Sequence, residues 1–158
     1  MGQEIERKFL LVNDGWRLLA EGELFQQGYI CADSQKTVRI RLAGKKGFLT
    51  IKGATKGISR AEFEYEIPFG DATRLLATLC AQPCIEKTRY RVFHEGFTWE
   101  IDEFLGANKG LIVAEIELES EDEFFTKPEW LGAEVSGDPR YTNAMLSRFP
   151  YSTWEKTP

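Results

Sequence analysis

The fold is decided by strands whose side chains alternate between charged and apolar, a pattern most regular in residues 60–67, RAEFEYEI. Three glutamates alternate there with three large apolar residues: Glu62, Glu64 and Glu66 with Phe63, Tyr65 and Ile67. Because successive side chains of a β-strand point to opposite faces, the glutamates share one face and the apolar residues share the other. The stretch therefore predicts a β-strand with one charged face and one apolar face.

The same alternation, or enrichment in β-branched and aromatic residues, predicts eight strands. They are Gln3–Leu11, Leu24–Cys31, Lys36–Ala43, Lys46–Gly53, Arg60–Pro68, Cys84–His94, Phe97–Phe104 and Leu111–Glu119. Apolar spacing predicts a helix over Asp71–Cys80 and short helices at Glu121–Phe125 and Thr142–Phe149. Because most connections are short, we expect one antiparallel meander, closed or nearly closed into a barrel, in a single mainly β domain over residues 1–158.

The charged faces of these strands are segregated by sign. Acidic residues lie on the first, fifth, seventh and eighth predicted strands, and basic residues lie on the third, fourth and sixth. Two arrangements are open at this point. An antiparallel sheet can present its charged face to water and pack its apolar face on a core. Alternatively, the strands close into a barrel whose charged face is the lumen, and the predicted helices cover its apolar outside.

The bulk composition excludes several classes of protein. Among 158 residues, 25 Asp and Glu outnumber 20 Lys and Arg, and the net charge of −5 argues against a broad nucleic-acid or acidic-membrane surface. A single histidine, His94, excludes a multi-histidine metal site. The charged N-terminus and the lack of an apolar run of about 18 residues predict neither a signal peptide nor a membrane span. Three cysteines without a CxxC pair predict reduced thiols, so we expect a cytoplasmic protein.

A lumen lined by both signs of charge has a specific chemical use. Like charges crowded in a space of low dielectric constant repel each other and need a bound counter-charge. Carboxylates without His or Cys favour a hard divalent cation such as Mg²⁺ or Mn²⁺, whereas Arg and Lys suit phosphate oxygens. Both clusters in one cavity predict a site for a small metal-complexed polyanion, most simply a polyphosphate.

The N-terminal motif Glu4-Ile5-Glu6-Arg7-Lys8 resembles the ExExK signature of the CYTH, or triphosphate tunnel metalloenzyme, superfamily. The resemblance continues in order along nearly the whole chain, through Gln27-Gly28-Tyr29, Val38-Arg39-Ile40-Arg41, Thr50-Ile51-Lys52, Glu62-Phe63-Glu64-Tyr65-Glu66, Glu86-Lys87-Thr88-Arg89-Tyr90, Glu100-Ile101-Asp102 and Glu115-Ile116-Glu117. Residues 138–143, DPRYTN, are similar to its bacterial branch. The resemblance implies an eight-stranded antiparallel tunnel that binds triphosphates with a divalent metal, and it favours the lumen over the solvated face.

The resemblance also implies roles for individual residues. The metal-binding carboxylates would be Glu4, Glu6, Glu115 and Glu117, and either these or a second metal would be supported by Glu62, Glu64 and Asp102. The phosphate contacts would be Lys8, Arg39, Arg41, Lys52, Lys87 and Arg89. Tyr29 faces the lumen if Ile30 faces out, and it is then a candidate general base, with Lys8 beside it favouring the phenolate. Alternatively, Tyr29 packs in the barrel with a satisfied hydroxyl.

Short bacterial members resemble inorganic triphosphatases, which implies Mg²⁺-dependent hydrolysis of tripolyphosphate to pyrophosphate and phosphate, with Mn²⁺ as the other candidate metal. Other branches hydrolyse thiamine triphosphate or act as class IV adenylate cyclases, and a shared fold does not choose among these activities. A non-catalytic polyphosphate- or nucleotide-binding module and an open-sheet interaction domain are the remaining alternatives. We expect a small polyanionic substrate and no nucleic-acid or membrane partner, and a homodimer is left open.

Overall fold

The computed structural model describes residues 3–154, whose nine strands join in one antiparallel sheet. The strands are β1 (Gln3–Leu11), β2 (Gly22–Ala32), β3 (Lys36–Ala43), β4 (Lys46–Gly53), β5 (Ser59–Ile67), β6 (Ile85–His94), β7 (Phe97–Phe104), β8 (Ile112–Glu117) and β9 (Leu131–Glu134). Two α-helices lie in the described chain, α1 (Phe69–Thr78) and α2 (Asn143–Arg148), and neither has the length and apolar character to span a membrane. The bounds of β1, β3, β4 and β7 coincide with the predicted ones, and the other predicted strands differ by one or two residues at an end.

Eight of the strands close into a barrel. Their order is β5-β4-β3-β2-β6-β7-β8-β1, and β1 pairs back onto β5 with Gln3 opposite Ala61 and Ile5 opposite Ser59. The predicted antiparallel barrel is therefore confirmed, but the uninterrupted meander is wrong. β2 pairs with β6 instead of β1, because residues 12–21 do not form a hairpin and carry Trp16 into the core outside the barrel.

The outer face of β2, β3 and β4 is covered by α1. Ala72 and Leu76 of the helix pack on Ile40, which is fully buried. Gly47 makes this close approach possible, because a Cβ placed on it would stand 2.5 Å from the Cβ of Ala72. The helix begins at Phe69, directly after Pro68, and ends at Thr78, so each end lies two residues earlier than predicted.

The outer face of β1, β7 and β8 is covered by aromatic side chains from the connecting loops. Phe125 and Trp130 pack on Trp99, with ring centroids 5.6 and 5.7 Å apart from it. The short helix predicted at Glu121–Phe125 is wrong, since these residues form a turn and a loop that buries Phe125. A single well-packed ring outweighs the weak helical spacing of a five-residue stretch.

One edge of β1 changes its partner along the strand. Residues 3–5 pair with β5, whereas Phe9 and Leu11 pair with β9, a short strand that the alternation did not predict. Between them, the Arg7 guanidinium donates to both carboxylate oxygens of Glu134 at 2.7 and 2.8 Å. The barrel wall is therefore continued by β9 where the pairing with β5 ends. Just after β9, the Val135 amide donates to the Lys8 carbonyl, and the chain reaches the lumen between β5 and β9.

α2 closes one end of the barrel. Its Leu146 is fully buried and packs on Ile85, Phe104 and Val113. Each of these three residues lies two positions from a charged inward-facing residue of its strand, and so points into the barrel as well. The expectation that this helix covers the exterior is therefore wrong, because its buried apolar side chain meets the inner face.

Candidate active site

The barrel lumen holds a cavity of about 250 Å³. All eight barrel strands contribute side chains to it, together with residues 142–144. Thirteen of the predicted site residues line it: Glu4, Glu6, Lys8, Tyr29, Arg39, Arg41, Lys52, Glu62, Glu64, Lys87, Arg89, Glu115 and Glu117. The charged face of the sheet is therefore the lumen, because closure of the barrel turns that face inward.

Carboxylates crowd one wall of this cavity. Glu6 lies directly opposite Glu117 across β1 and β8, and Glu100 lies opposite Glu115 across β7 and β8. Burial raises the pKa of Glu6 well above its ordinary value, and the charges of Glu115 and Glu4 raise it further. Burial likewise raises the pKa of Glu117. Because like charges this close destabilise a sheet, the wall favours a bound cation.

The donor atoms on this wall fit a hard divalent cation, since every candidate ligand is a carboxylate oxygen. Two lysines neutralise part of the cluster. Lys52 Nζ lies 2.9 Å from Glu4 and 3.3 Å from Glu62, and Lys8 Nζ lies 3.5 Å from Glu115. Within residues 3–154, no three His, Cys, Asp or Glu side chains are grouped closely enough to hold an ion in this arrangement. Although burial opposes ionisation of Glu115, Lys8 lowers its pKa to about 2, so this carboxylate is charged at neutral pH.

Asp102 differs from the other predicted metal ligands. It does not line the cavity, and lies fully buried beside Lys87 and Arg89. Its carboxylate accepts hydrogen bonds from Lys87 Nζ at 2.8 Å and from Arg89 Nε and Nη2 at 2.8 and 2.9 Å. Although burial opposes ionisation, these two cations hold the pKa of Asp102 far below its ordinary value. Both oxygens of Asp102 hold cations of the protein in place, so its role as a metal ligand stays a prediction that this arrangement does not favour.

The basic side chains of the cavity are crowded as well. Burial lowers the pKa of Lys87 to about 7, with Arg89 and Arg41 adding to the effect against the attraction of Asp102. Burial also lowers the pKa of Arg41 to about 9, and the charges of neighbouring arginines add to it. The Arg41 and Arg89 guanidinium carbons lie 5.0 and 4.8 Å from the centroid of the buried Phe25 ring. Several cations held together over an apolar surface favour an anion with many oxygens.

Gln27 is a buried residue of the site that the sequence analysis missed as a candidate. Its Nε2 donates to the Tyr29 hydroxyl at 3.2 Å, and its Oε1 accepts from Arg41 Nε at 3.0 Å. It lies two residues from Tyr29 on the inward face of β2, which is the signal that could have identified it. Gln27 is neutral, so the charge alternation of the strands does not identify it, although its amide links Tyr29, the candidate base, to Arg41, a candidate phosphate contact.

The motif at residues 138–143, which the sequence does not explain, brings the C-terminal segment into the cavity. The Tyr141 carbonyl accepts from Lys8 Nζ at 2.9 Å, and Asn143 Oδ1 accepts from Lys87 Nζ at 3.0 Å. The Thr142 hydroxyl caps α2 by accepting from the Met145 amide at 3.2 Å. The motif thus orients two lysines of the cavity and starts the helix that closes the barrel.

The protein is therefore a closed antiparallel barrel with a charged tunnel, whose lining combines a carboxylate wall with a basic cluster. The sequence profile of the CYTH domain matches residues 2–142. An inorganic triphosphatase of Acetivibrio thermocellus is 54% identical over 156 residues, which cover 99% of this chain and 100% of that protein. The chain belongs to the CYTH domain family.

Two further comparisons agree with this membership. An inorganic triphosphatase of Nitrosomonas europaea is 36% identical over 154 residues, which cover 91% of this chain and 96% of that protein. The crystal structure of the inorganic triphosphatase NE1496 matches with a TM-score of 0.64 and 34% identity, and the match covers 93% of this chain and 95% of that one. The resemblance drawn from the motifs is therefore confirmed, and so is the barrel fold that it implies.

Proposed function

We propose that this protein hydrolyses inorganic tripolyphosphate to pyrophosphate and phosphate inside the tunnel, with Mg²⁺ or Mn²⁺ as cofactor. The observation that carries the proposal is the meeting of a basic cluster and a carboxylate wall in one cavity of about 250 Å³. Two relatives named inorganic triphosphatases, at 54% and 36% identity, support the same activity in this chain.

The basic cluster binds the phosphate oxygens in this proposal, through Lys8, Arg39, Arg41, Lys52, Lys87 and Arg89. Asp102 and Asn143 hold Lys87 before any ligand arrives, and Gln27 does the same for Arg41. Burial opposes the charged form of Lys8, but Glu115 and Glu6 raise its pKa above the ordinary value, so it remains a cation. Cations fixed in advance stabilise charge on a phosphoryl group without reorganising during the reaction.

The metal ligands in this proposal are the carboxylates of the crowded wall: Glu4, Glu6, Glu115 and Glu117, with Glu62 and Glu64 beside them. Asp102 is left out because Lys87 and Arg89 donate to its oxygens. When bound, a divalent cation neutralises charge on phosphoryl oxygens and lowers the pKa of a coordinated water. The chain itself contributes neighbouring barrel strands that bring these carboxylates to one side of the lumen.

In the hydrolysis, the oxygen of a water molecule forms a bond to a terminal phosphorus while the bond from that phosphorus to its bridging oxygen breaks. Orthophosphate and pyrophosphate result, and the water loses a proton to a base. Tyr29 is the candidate base because its side chain lines the cavity, with its hydroxyl oriented by Gln27. Lys8, which lines the same cavity, offsets the charge that develops on the phosphoryl oxygens.

The lining favours a ligand made only of phosphate. Apart from Ala144, every residue around the cavity is polar or charged, so it offers little apolar surface for an organic ring. We therefore place thiamine triphosphate and ATP behind tripolyphosphate as substrates. In this proposal residues 1–158 form one tunnel domain that acts in the cytoplasm on a small polyanion, without nucleic acid or membrane.

The test is phosphate release from tripolyphosphate, thiamine triphosphate and ATP, compared side by side with Mg²⁺, with Mn²⁺ and with a chelator. We expect metal-dependent release, fastest from tripolyphosphate. Glu117→Gln should lose the metal-dependent activity, whereas Glu95→Gln, on the exposed β6–β7 turn, should retain it. Tight tripolyphosphate binding without release would indicate a binding module, and cyclic AMP formation from ATP would indicate a cyclase.

A further inference from the structure

A second cavity, of about 410 Å³, adjoins the tunnel beside α2. We call it the side chamber, and its lining includes Ala54 and Met145. Four residues line both the tunnel and the side chamber: Thr37, Arg60, Thr142 and Ala144. We call this shared boundary the neck.

The neck exists because α2 closes only part of the barrel end. Leu146 packs on side chains of β6, β7 and β8, which lie on one side of the lumen. On the other side, Ala144 and Met145 of the same helix line the side chamber. Arg148 donates to the Ala32 carbonyl at the far edge of the chamber, so the helix spans this side without filling it.

Arg60 gives the neck its chemistry. Its Nη2 donates to the Thr37 hydroxyl at 3.3 Å, and its Nε is buried without a hydrogen-bond partner among residues 3–154. Glu4 lies opposite Arg60 across β1 and β5, but its carboxylate is bound by Lys52 at 2.9 Å. No ion pair forms at Arg60 within the described part of the chain, so this guanidinium has donors free for an anion.

We propose that the neck is a second phosphate site, formed by Arg60 with the hydroxyl of Thr37, through which orthophosphate leaves the tunnel into the side chamber. The inference rests on the proposed hydrolysis, whose two products are orthophosphate and pyrophosphate. The neck suits the smaller product, because one guanidinium and one hydroxyl match a single tetrahedral anion.

Charge decides which way the free product moves. The other end of the tunnel is marked by Arg91, which is half-exposed and paired with Glu100 at 3.4 Å and with Glu23 at 3.6 Å. Glu117 is exposed to solvent as well. A metal-complexed substrate carries reduced negative charge and passes these carboxylates, whereas orthophosphate without metal is repelled by them. The neck places a cation in the path of that anion instead.

The first test narrows the neck. Ala144→Phe fills it, and Ser147→Phe adds the same ring elsewhere on α2, away from the side chamber. Rapid quench measures the rate of cleavage, and stopped flow with a fluorescent phosphate sensor measures the rate of orthophosphate release. We expect Ala144→Phe to slow release about tenfold relative to cleavage, giving a burst of bound product, while Ser147→Phe shows wild-type release. Unchanged release in Ala144→Phe, or an equal loss of cleavage and release, overturns the exit route.

The second test needs no turnover. Inorganic phosphate titrated into the resting enzyme should bind about tenfold more weakly to Arg60→Gln, and Arg60→Lys should recover part of the affinity. Equal affinity in the wild type and Arg60→Gln overturns the phosphate site. If Ala144→Phe instead lowers kcat/KM for tripolyphosphate with normal release, the side chamber is an entrance and the exit is wrong. If the wild type cleaves no triphosphate, the proposed function falls, and the exit route falls with it.

Discussion

Lys87 and Asp102 form a fully buried ion pair, with Lys87 Nζ 2.8 Å from Asp102 Oδ2. Arg89 donates to the same carboxylate, and Asn143 of α2 accepts from the same ammonium. This arrangement links the cations of the cavity to the helix that closes the barrel. A charge left without its partner in such a place is costly, so the group couples the stability of the fold to the geometry of the site.

Asp102→Asn should therefore lower the free energy of unfolding by about 3–5 kcal/mol, because Lys87 and Arg89 lose their buried counter-charge. Urea unfolding followed by circular dichroism measures the change. Glu134→Gln is the matched control, since it removes a carboxylate partner of Arg7 in an exposed pair and should cost about 1 kcal/mol or less. Equal losses of unfolding free energy in the two variants would contradict a stabilising role for the buried group of Lys87, Arg89 and Asp102.

Glu6→Gln should stabilise the metal-free protein at pH 8 by about 1 kcal/mol or more, because burial of the charged carboxylate, together with repulsion from Glu115 and Glu4, raises the pKa of Glu6 in the folded state. The folded protein binds a proton at Glu6 more tightly than the unfolded chain does. This contribution is present at low pH and is lost as the pH rises through the raised pKa. The gain should therefore shrink at pH 5, as measured by urea unfolding at both pH values.

The same variant should bind Mg²⁺ at least about tenfold more weakly, since it lacks one ligand of the carboxylate wall. Calorimetric titration with Mg²⁺ measures this loss. If the carboxylate wall holds a cation, Glu6→Gln should be more stable than the wild type without metal and should bind Mg²⁺ more weakly. A destabilised Glu6→Gln at pH 8 would show that the wall is not under repulsion.

Pyrophosphate without metal should bind more weakly as the pH rises above about 7. Lys87 has its pKa lowered to about 7, so it is charged below that pH and neutral above it, and an anion binds the charged form. The apparent dissociation constant should rise by up to about tenfold per pH unit in this range. The dissociation constant is measured by calorimetry at pH 6.5 and 8 for the wild type and for Lys87→Met. The change seen in Lys87→Met comes from the titration of pyrophosphate itself and is subtracted from that of the wild type. A pH dependence equal in the wild type and in Lys87→Met would assign it to another group.

Tyr29→Phe should lower kcat about 100-fold or more while KM for tripolyphosphate changes little, if Tyr29 takes the proton of the attacking water as its phenolate. Phenylalanine keeps the ring and its packing, so a structural tyrosine would leave kcat nearly unchanged. Steady-state kinetics from pH 6 to 10 distinguish the two cases. Tyr65→Phe, on the exposed outer face of the barrel, is the control and should behave as wild type. Normal turnover in Tyr29→Phe across this pH range would leave Tyr29 with the packing role.

Leu146→Ala should destabilise the protein by about 2–5 kcal/mol, because it opens a cavity between α2 and the inner face of the barrel. Phe149→Ala removes a larger side chain that is 60% exposed, and it should cost much less. Thermal unfolding of both variants measures the difference. A mild Leu146→Ala together with a severe Phe149→Ala would indicate that α2 packs outside the barrel after all.

Much of the fold and of the site could be predicted from period-two alternation. Glu62, Glu64 and Glu66 share a face with each other and not with Phe63 for a purely local reason, the geometry of an extended chain. Thirteen of the predicted site residues line the tunnel for the same reason. Asp102 carries the same alternation but is sealed behind Lys87 and Arg89, and no local rule distinguishes a lining carboxylate from one sealed behind two cations.

For the eight barrel strands, the sequence by itself determined where they lie in the chain and which side chains share a face, because both follow from the chain's own geometry over a few residues. Only the tertiary structure decided how the strands pair, that β1 divides its edge between β5 and β9, and that α2 sends Leu146 into the barrel. These choices depend on contacts between residues far apart in the chain, such as Leu146 with Ile85. Partners for a strand or an apolar side chain are selected by shape and burial, which alternation alone does not encode.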